Sequence, residues 1–172
     1  MQVLTTRVDP QSEEYRANRA AMEAKLAEFE TLMEQARQGG GETYVARHRE
    51  RGKLLARERI ELLIDRDAPF LELSTLAAWG TGKNLGANVV TGIGVVEGVE
   101  CAILAHDPTS QAGSMNRYSV SKTLRIMDIA RENRLPLINL VESGGADLPT
   151  QSEIFIPGGR AFRDLTRLSA AG

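Results

Sequence analysis

The sequence predicts an α/β fold with a helical N-terminal part, and three observations support that prediction. Two strand-like apolar runs flank the turn Glu97–Gly98 within residues 88–107, a pattern typical of a β-hairpin. A helical pattern ending at Asn133 follows the hairpin, and a short apolar run at Leu135–Val141 follows that helix. A strand, a helix and a strand in this order place the two strands parallel and adjacent. Two amphipathic helical patterns precede all the main strands.

Composition limits the classes of function. The 172 residues fit one domain or a piece of a larger protein, and we expect a fragment, because the helical pattern from Asp164 to Ala171 is still in progress where the chain stops. The formal net charge of −2 gives no electrostatic argument for nucleic acid or a membrane surface as a partner. No stretch is long and apolar enough to span a bilayer, and the N-terminus lacks a signal-peptide pattern, so we expect a cytoplasmic location.

Cysteine and histidine are too scarce for a metal centre. Cys101 is the single cysteine and lies in an apolar run, so we expect a buried apolar side chain rather than a reactive thiol. His48 and His106 are the only histidines, which is too few for a multi-histidine site. We therefore expect no metal in this chain.

The first helical pattern runs over residues 11–38. Ser12 is placed to cap its start, and Gly39–Gly41 is expected to end it. Its apolar residues recur at helical spacing and form one stripe: Tyr15, Met22, Leu26, Phe29, Met33 and Ala36. We expect this stripe to dock on a domain or on a partner subunit.

Residues 42–65 begin with a basic run and end in a second amphipathic helix, predicted around Ile60–Ile64. The basic run contains Arg47, His48, Arg49, Arg51, Lys53, Arg57 and Arg59. Such a run can hold the phosphates of an anionic cofactor. A basic run with interspersed glutamates is more often a solvated helix face, and both interpretations are open.

The sheet is expected to begin with an edge strand at Pro69–Leu73, and a loop rich in glycine and asparagine follows over residues 81–87. The hairpin comes next, and its second strand ends in a loop of small residues at 107–114. Ser119 or Ser121 is predicted to cap the following helix. Its expected core-facing residues are Val120, Leu124, Ile126, Met127 and Ile129.

A second loop of small residues, Glu142–Ala146, follows the run at Leu135–Val141, which is predicted to be a buried strand. Gly144 and Gly145 let the backbone turn sharply and approach a ligand, because neither carries a Cβ. Backbone N–H groups in such a turn can form an oxyanion hole; an ordinary strand-to-helix turn is the alternative. With parallel strands, both small-residue loops lie at the carboxyl end of the sheet, where ligands bind in open α/β sheets. This convergence favours the oxyanion hypothesis.

Three long stretches carry a family resemblance. They are ARHRERGKLLARERIELLIDRDAPFLEL at 46–73, VVTGIGVVEGVECAILAHDPT at 89–109 and SKTLRIMDIARENRLPLINLVESGGADLP at 121–149. In this order they resemble the N-terminal half of the carboxyltransferase (β) subunit of biotin-dependent acyl-CoA carboxylases, which belong to the crotonase-like superfamily. Within that group, Asp147–Gln151 together with Ile154–Phe155 is most similar to the methylcrotonyl-CoA type.

The resemblance implies a crotonase-like (β-β-α spiral, ClpP/crotonase) carboxyltransferase domain at residues 66–172, truncated, with an N-terminal helical extension at residues 1–65. Two departures from the family stand out. The usual diglycine after the Asp-x-Thr loop is Ala112–Gly113 here. The cysteine zinc finger of some bacterial acetyl-CoA carboxylase β subunits is absent, which disfavours that subtype.

The resemblance also implies an activity, the transfer of a carboxyl group from carboxybiotin to an acyl-CoA, with the methylcrotonyl-CoA type favoured. Negative charge gathers on the thioester oxygen in the enolate, and fixed backbone donors stabilise it. In the family, biotin is carried on a partner, and the implied partners are a biotin carboxylase/biotin carboxyl carrier subunit and further carboxyltransferase subunits in a homo-oligomer. Each active site lies between the N-terminal half of one protomer and the C-terminal half of another, so a fragment alone is expected to be inactive.

By resemblance, oxyanion donation falls to the N–H groups around Gly144, Gly145 and Ala146. The bound oxygen is either that of the thioester, which we favour, or the ureido oxygen of biotin. Gly113 is a candidate for a second donor or for shaping the CoA channel, and Glu142 is expected to order the turn rather than act as a base. The candidates for binding the phosphates of CoA are Arg51, Lys53 and Arg57.

Two other classes of function remain as alternatives. The chain could be a non-catalytic assembly or interaction half-domain, or it could belong to another crotonase-type acyl-CoA enzyme, such as a decarboxylase, hydrolase or isomerase. Carboxylation predicts dependence on a biotinylated partner, whereas a hydrolase or isomerase works without one. An interaction module binds a partner subunit and has no affinity for CoA.

Overall fold

The computed structural model describes residues 6–171. The chain separates into two compact units after Glu34. The helices are α1 (Glu13–Arg37), α2 (Glu42–Glu50), α3 (Ala56–Leu63), α4 (Arg117–Asn133) and α5 (Gln151–Ala171). The strands are β1 (Leu71–Leu73), β2 (Val89–Val96), β3 (Val99–His106) and β4 (Leu137–Leu140), and short 3-10 turns occupy Gln111–Gly113 and Leu148–Thr150.

Most of helix α1 lies in the first unit, which ends at Glu34. The Ser12 hydroxyl accepts a hydrogen bond from the Tyr15 N–H at 3.2 Å, so the predicted N-cap is confirmed. Met22, Leu26 and Phe29 of the apolar stripe are exposed. No helix among the described residues is long and apolar enough to cross a membrane.

The second unit is built on a four-stranded sheet in the order β1-β2-β3-β4. The first two pairs are antiparallel and β3 pairs with β4 in parallel, which confirms the hairpin, the edge strand β1 and the adjacent parallel strands. The hairpin turn Glu97–Gly98 has positive φ at both residues, 50° and 75°, as the tight turns that match strand twist require. The Asp65 carboxylate accepts hydrogen bonds from both N–H groups of this turn, at 2.7 and 2.8 Å.

The core lies on the two faces of β3. On one face Ile103 packs with Ile60 of α3, and on the other Leu104 packs with Ile126 of α4. Cys101 is buried on the α3 face, as the apolar run predicts. Both faces of β3 are therefore covered, and β3 lies between β2 and β4 in the sheet.

The start of α4 differs from the prediction. Asn116, not Ser119 or Ser121, is the N-cap, and its Oδ1 accepts from the N–H groups of Tyr118 and Ser119 at 2.9 and 3.1 Å. Ser119 instead occupies the third helical position and accepts from the Asn116 N–H at 2.8 Å, completing a capping box. Ser121 lies within the helix, where its hydroxyl donates to the Arg117 carbonyl at 2.8 Å.

Two further features were predicted wrongly, and one helix was predicted only in part. Residues 42–65 form two helices, because the chain leaves the helical conformation after Glu50 and α3 starts at Ala56. The run at Leu135–Val141 is only half-buried, and Val141 is 67% exposed, because β4 lies at the edge of the described sheet. The helical pattern predicted from Asp164 to Ala171 is confirmed, and helix α5 begins earlier, at Gln151, and runs through Pro157.

Candidate active site

Two loops meet beyond the carboxyl ends of β3 and β4, as the parallel pairing predicts. We call residues 107–116 the first loop and residues 141–150 the second loop. The Gly144 N–H donates to the Ala112 carbonyl at 2.8 Å. The Met115 N–H donates to the Gly145 carbonyl at 2.8 Å, and the Asp147 N–H donates back to the Met115 carbonyl at 2.9 Å. These bonds extend the parallel pairing past the sheet and join the loops.

The first loop is held in a sharply turned conformation. Gln111, Ala112 and Gly113 have φ values of 48°, 54° and 65°, which is the left-handed region that L-residues rarely adopt. A Cβ on Gly113 would lie 2.5 Å from the Glu142 carbonyl oxygen, so this position has no room for a side chain. The structure therefore places Gly113 where it sets the distance between the two loops. The Gly113 N–H itself donates to the Ser110 carbonyl at 2.9 Å.

The second loop contains the predicted oxyanion donors, and their N–H groups differ in availability. The Gly144 N–H is engaged by Ala112, and the Gly145 N–H donates to the Ser143 hydroxyl at 3.1 Å. The Ala146 N–H has no acceptor among the described residues. Gly145 has a φ of 92°, and a Cβ built on it meets nothing within 4 Å, so the turn faces open space there. Residues 143–146, which we call the glycine turn, thus present one free donor beside an unobstructed surface.

The three basic candidates are in three different situations. Lys53 donates to the Glu142 carboxylate at 2.7 Å, beside the glycine turn. Arg57 forms a two-pronged ion pair with Glu72 of β1 at 2.8 and 3.0 Å. Arg51 is exposed, and its side chain contacts no partner among the residues that the structure describes. Only Lys53 is brought to the glycine turn.

Glu142 is an ionised carboxylate held by two cations. Besides Lys53, the Arg59 guanidinium lies 3.7 Å from its second oxygen. Burial alone would raise the pKa of Glu142, but the hydrogen bond from Lys53 and the nearby positive charges outweigh it and hold the pKa below its usual value. A carboxylate with a lowered pKa is a poor base, which supports an ordering role for Glu142.

Two buried groups near the loops were not among the candidate site residues, although Arg59 belongs to the basic run. Arg59 of α3 donates to the His106 carbonyl at the end of β3, and its Nε is buried without a hydrogen-bond partner among the described residues. Lys122 of α4 is only 4% exposed, and its Nζ donates to the Val89 and Gly86 carbonyls at 2.7 and 3.3 Å. Lys122 follows Ser119 by three residues and precedes Ile126 by four, so helical spacing places it on the same buried face as these two residues. The charge of Lys122 suggested an exposed position instead.

A cleft of about 150 Å³ adjoins the paired loops. It is bounded by the ends of both loops and by the loop before β2, and its lining is Thr81, Lys83, Asn116, Arg117, Tyr118, Thr150 and Glu153. Within the described part of the chain, no three acidic, histidine or cysteine side chains cluster in a way that could hold a metal ion. Backbone donors and flanking cations are therefore the chemistry that the described residues place at this edge of the sheet.

Fold and site together define an α/β protein with a turn of backbone donors at the carboxyl ends of two parallel strands. Residues 47–171 match the carboxyl transferase domain, and the chain belongs to that family. The resemblance noted in the sequence is thereby confirmed, and the fold is crotonase-like with a helical N-terminal part.

Particular relatives span almost the whole chain. It is 58% identical over 170 residues to the probable biotin-dependent acyl-coenzyme A carboxylase beta2 subunit of Mycobacterium tuberculosis, covering 99% of this chain and 32% of that protein. It is 45% identical over 176 residues to the probable mitochondrial methylcrotonoyl-CoA carboxylase beta chain of Drosophila melanogaster, covering 99% of this chain and 30% of that protein. The chain thus spans about a third of the length of these curated relatives.

Solved structures agree with this assignment. The beta subunit of geranyl-CoA carboxylase from P. aeruginosa superposes with a TM-score of 0.89 at 38% identity, covering 99% of this chain and 33% of that one. The transcarboxylase 12S hexamer, solved with methylmalonyl-coenzyme A, superposes with a TM-score of 0.77 at 26% identity, covering 86% of this chain and 30% of that one.

Proposed function

We propose that the protein containing this chain is the carboxyltransferase component of a biotin-dependent acyl-CoA carboxylase. Its relatives are named as acyl-CoA carboxylase beta subunits, which supports this activity over a purely structural role. The observation that carries the proposal is the glycine turn, where the free Ala146 N–H lies beside the open surface at Gly145. A turn of this kind can hold the thioester oxygen as it gains charge in the enolate.

The chain's residues would act by binding and orientation. The Ala146 N–H would donate to the thioester oxygen. The Gly145 N–H, which donates to the Ser143 hydroxyl, could donate to the thioester oxygen in its place. Gly113 would keep the first loop close, and Arg51 is free to bind a phosphate of CoA. Carboxybiotin, bound from a carrier partner, would supply the carboxyl group. A fixed donor of this type is worth about 3 kcal/mol in the transition state.

The acyl group that we propose is of the methylcrotonyl-CoA type. The Drosophila relative is named for methylcrotonoyl-CoA and the geranyl-CoA carboxylase structure for geranyl-CoA, and both acyl groups are branched and unsaturated. We further propose a biotin carboxylase/biotin carboxyl carrier partner, assembly with other carboxyltransferase subunits as in the transcarboxylase hexamer, and a cytoplasmic location. We also propose that the chain divides after residue 65 into a helical extension and a carboxyltransferase domain.

The test is carboxyl transfer by the full-length protein with its biotinylated partner, using labelled bicarbonate and methylcrotonyl-CoA. Gly145→Val is expected to lower kcat by about 100-fold or more, because its side chain would occupy the open space at the donor turn. Gly159→Ala on the exposed face of α5 is the control and should leave turnover unchanged. Undiminished turnover in Gly145→Val would remove the oxyanion assignment.

The alternative functions give different results in the same assay. Turnover of the thioester without the biotinylated partner would indicate a hydrolase, decarboxylase or isomerase. Calorimetry that detects binding of a partner subunit but no binding of methylcrotonyl-CoA or propionyl-CoA would indicate an interaction module. Either result would overturn carboxyl transfer as the function.

A further inference from the structure

Lys53 and Glu142 form a contact that joins distant parts of the second unit. Lys53 lies in the connection between α2 and α3, whereas Glu142 lies 89 residues later, directly before the glycine turn. Their side chains meet at 2.7 Å. The connection between two N-terminal helices is therefore tied to the loop that carries the candidate oxyanion donors.

Arg59 reinforces this tie from the next helix. Its guanidinium lies 3.7 Å from the second oxygen of Glu142 and also donates to the His106 carbonyl, the last of β3. One side chain thus reaches the last residue of β3 and the second residue of the second loop. A planar guanidinium with several donors is suited to holding two acceptors in a fixed arrangement.

The backbone of Glu142 transmits its position to the donors. Its carbonyl oxygen lies against Gly113, where no Cβ would fit. The next residue, Ser143, donates its hydroxyl to the Gly113 carbonyl at 2.7 Å and accepts from the Gly145 N–H. A shift of Glu142 would therefore move Ser143, and with it the Gly145 and Ala146 N–H groups.

We infer that Lys53 and Arg59 are positioning residues, whose ion pairs with Glu142 hold the glycine turn against the first loop at the geometry that the thioester oxygen requires. This inference rests on the proposed function for its catalytic consequence. It also reassigns Lys53, which the sequence made a candidate for CoA phosphate binding. Lys53 differs in this from Arg51, whose side chain has no partner among the described residues.

The charges suit positioning rather than stabilisation of the whole fold. The Lys53 side chain is 50% exposed and that of Glu142 is 26% exposed, so water screens the pair and its net contribution to folding is small. Arg59 is less exposed and faces the same carboxylate. Removal of one cation should leave the protein folded and the turn less well placed.

The experiment compares Lys53→Met, Glu142→Gln and the double variant in the full-length enzyme with its biotinylated partner. Each single variant should lower kcat by about 10- to 100-fold, the scale of a misplacement on the order of 1 Å, with little change in KM. The double variant should be no slower than the slower single variant, because both remove the same contact. Lys53→Arg should restore most of the activity, and Arg131→Met, which breaks a surface pair on α4, is the matched control.

Two thioester substrates separate positioning from phosphate binding. Acyl-pantetheine carries the thioester but lacks the phosphates and the nucleotide of CoA. The positioning role predicts the same loss of kcat for Lys53→Met with acyl-CoA and with acyl-pantetheine. A rise in KM for acyl-CoA alone, with kcat unaltered, would overturn the inference and return Lys53 to phosphate binding.

Hydrogen exchange keeps this test independent of the activity. Amide exchange at Gly144 and Gly145, whose N–H groups are hydrogen-bonded within the paired loops, should be at least several-fold faster in Lys53→Met and Glu142→Gln than in the wild type or in Arg131→Met, because the turn opens more often. Equal exchange in all four proteins would refute the positioning role even if carboxyl transfer is observed. A wild-type enzyme without carboxyl transfer but with the faster exchange in the variants would refute the proposed function and leave the structural tie in place.

Discussion

The buried ammonium of Lys122 should make the stability of this protein depend on pH in an unusual direction. Burial lowers the pKa of Lys122 from 10.5 to about 8; the Glu72 charge acts to raise it and the Arg57 charge to lower it. Its two carbonyl acceptors, Val89 and Gly86, keep the ammonium satisfied near neutral pH. Lys122→Met replaces it with an uncharged side chain of similar length.

The sign follows from proton binding. Between about pH 8 and pH 10.5 the folded protein has lost the Lys122 proton and the unfolded chain still holds it, so the free energy of unfolding rises with pH. Each pH unit in this window contributes about 1.4 kcal/mol for a single group. The wild type should therefore gain about 3 kcal/mol relative to Lys122→Met across the window, because other titrating groups are common to both proteins.

Urea unfolding of both proteins, followed by circular dichroism at several pH values, measures this difference. The Met variant also removes the Lys122 donor from two carbonyls, of which that of Gly86 keeps the Val89 N–H at 3.3 Å. The cost of about 1–3 kcal/mol does not vary with pH. That constant cost lowers the variant's free energy of unfolding by the same amount at every pH and leaves its dependence on pH unchanged. A constant difference between wild type and variant from about pH 7 to pH 10.5 would refute the reasoning, because Lys122 would then titrate alike in the folded and unfolded states.

Two further predictions concern backbone fit and capping. Gly40→Ala should lower the free energy of unfolding by about 1–3 kcal/mol, because the new methyl group would overlap the Thr109 backbone, whereas Gly159→Ala in α5 should raise it by about 0.5–1 kcal/mol. Thermal unfolding of both variants checks this, and equal effects would contradict the overlap. Asn116→Ala should cost about 1–2 kcal/mol through loss of the helix cap, and Ser121→Ala should cost little. A larger loss for Ser121→Ala would reinstate the serine as the cap.

Local patterns were sufficient for most elements of the sheet. Alternating apolar residues and the Glu97–Gly98 turn predicted the hairpin, and the order strand–helix–strand predicted the parallel β3–β4 pair. The convergence of the two loops followed from that topology. These features depend on neighbours in sequence or on a general rule of handedness, so they can be read without knowledge of the packing.

The wrong predictions involve competition between local signals. Asn116 and Ser119 are both good capping residues. In the capping box Asn116 is the N-cap, and Ser119 is the residue at the third helical position that bonds back to it. Helix α5 was predicted only over its C-terminal part, and in the structure it runs through Pro157 and the glycines after it, with Ile154 packed against Val120 and Leu124 of α4. The ion pair between Lys53 and Glu142 could not be predicted at all, because side chains so far apart in sequence meet only after the fold has formed.

The candidate donors were predicted as a group, but their availability was not. Glycine content indicates where a backbone can turn, and it does not indicate which N–H groups remain unpaired. In the folded chain the Gly144 N–H donates to the Ala112 carbonyl, whereas the Ala146 N–H has no acceptor among the described residues. That distinction depends on the register between two loops, which single-sequence patterns leave undetermined.

The joined loops also constrain how this region can change during evolution. Residues 112–115 and 143–147 are matched by four hydrogen bonds across a fixed register. Insertion or deletion of one residue in either segment would misalign all of the bonds beyond it, so length changes would have to arise in both segments together. Single substitutions of outward side chains, by contrast, leave the register intact. New specificities would therefore arise more readily by exchanging side chains around an unchanged backbone than by lengthening either segment.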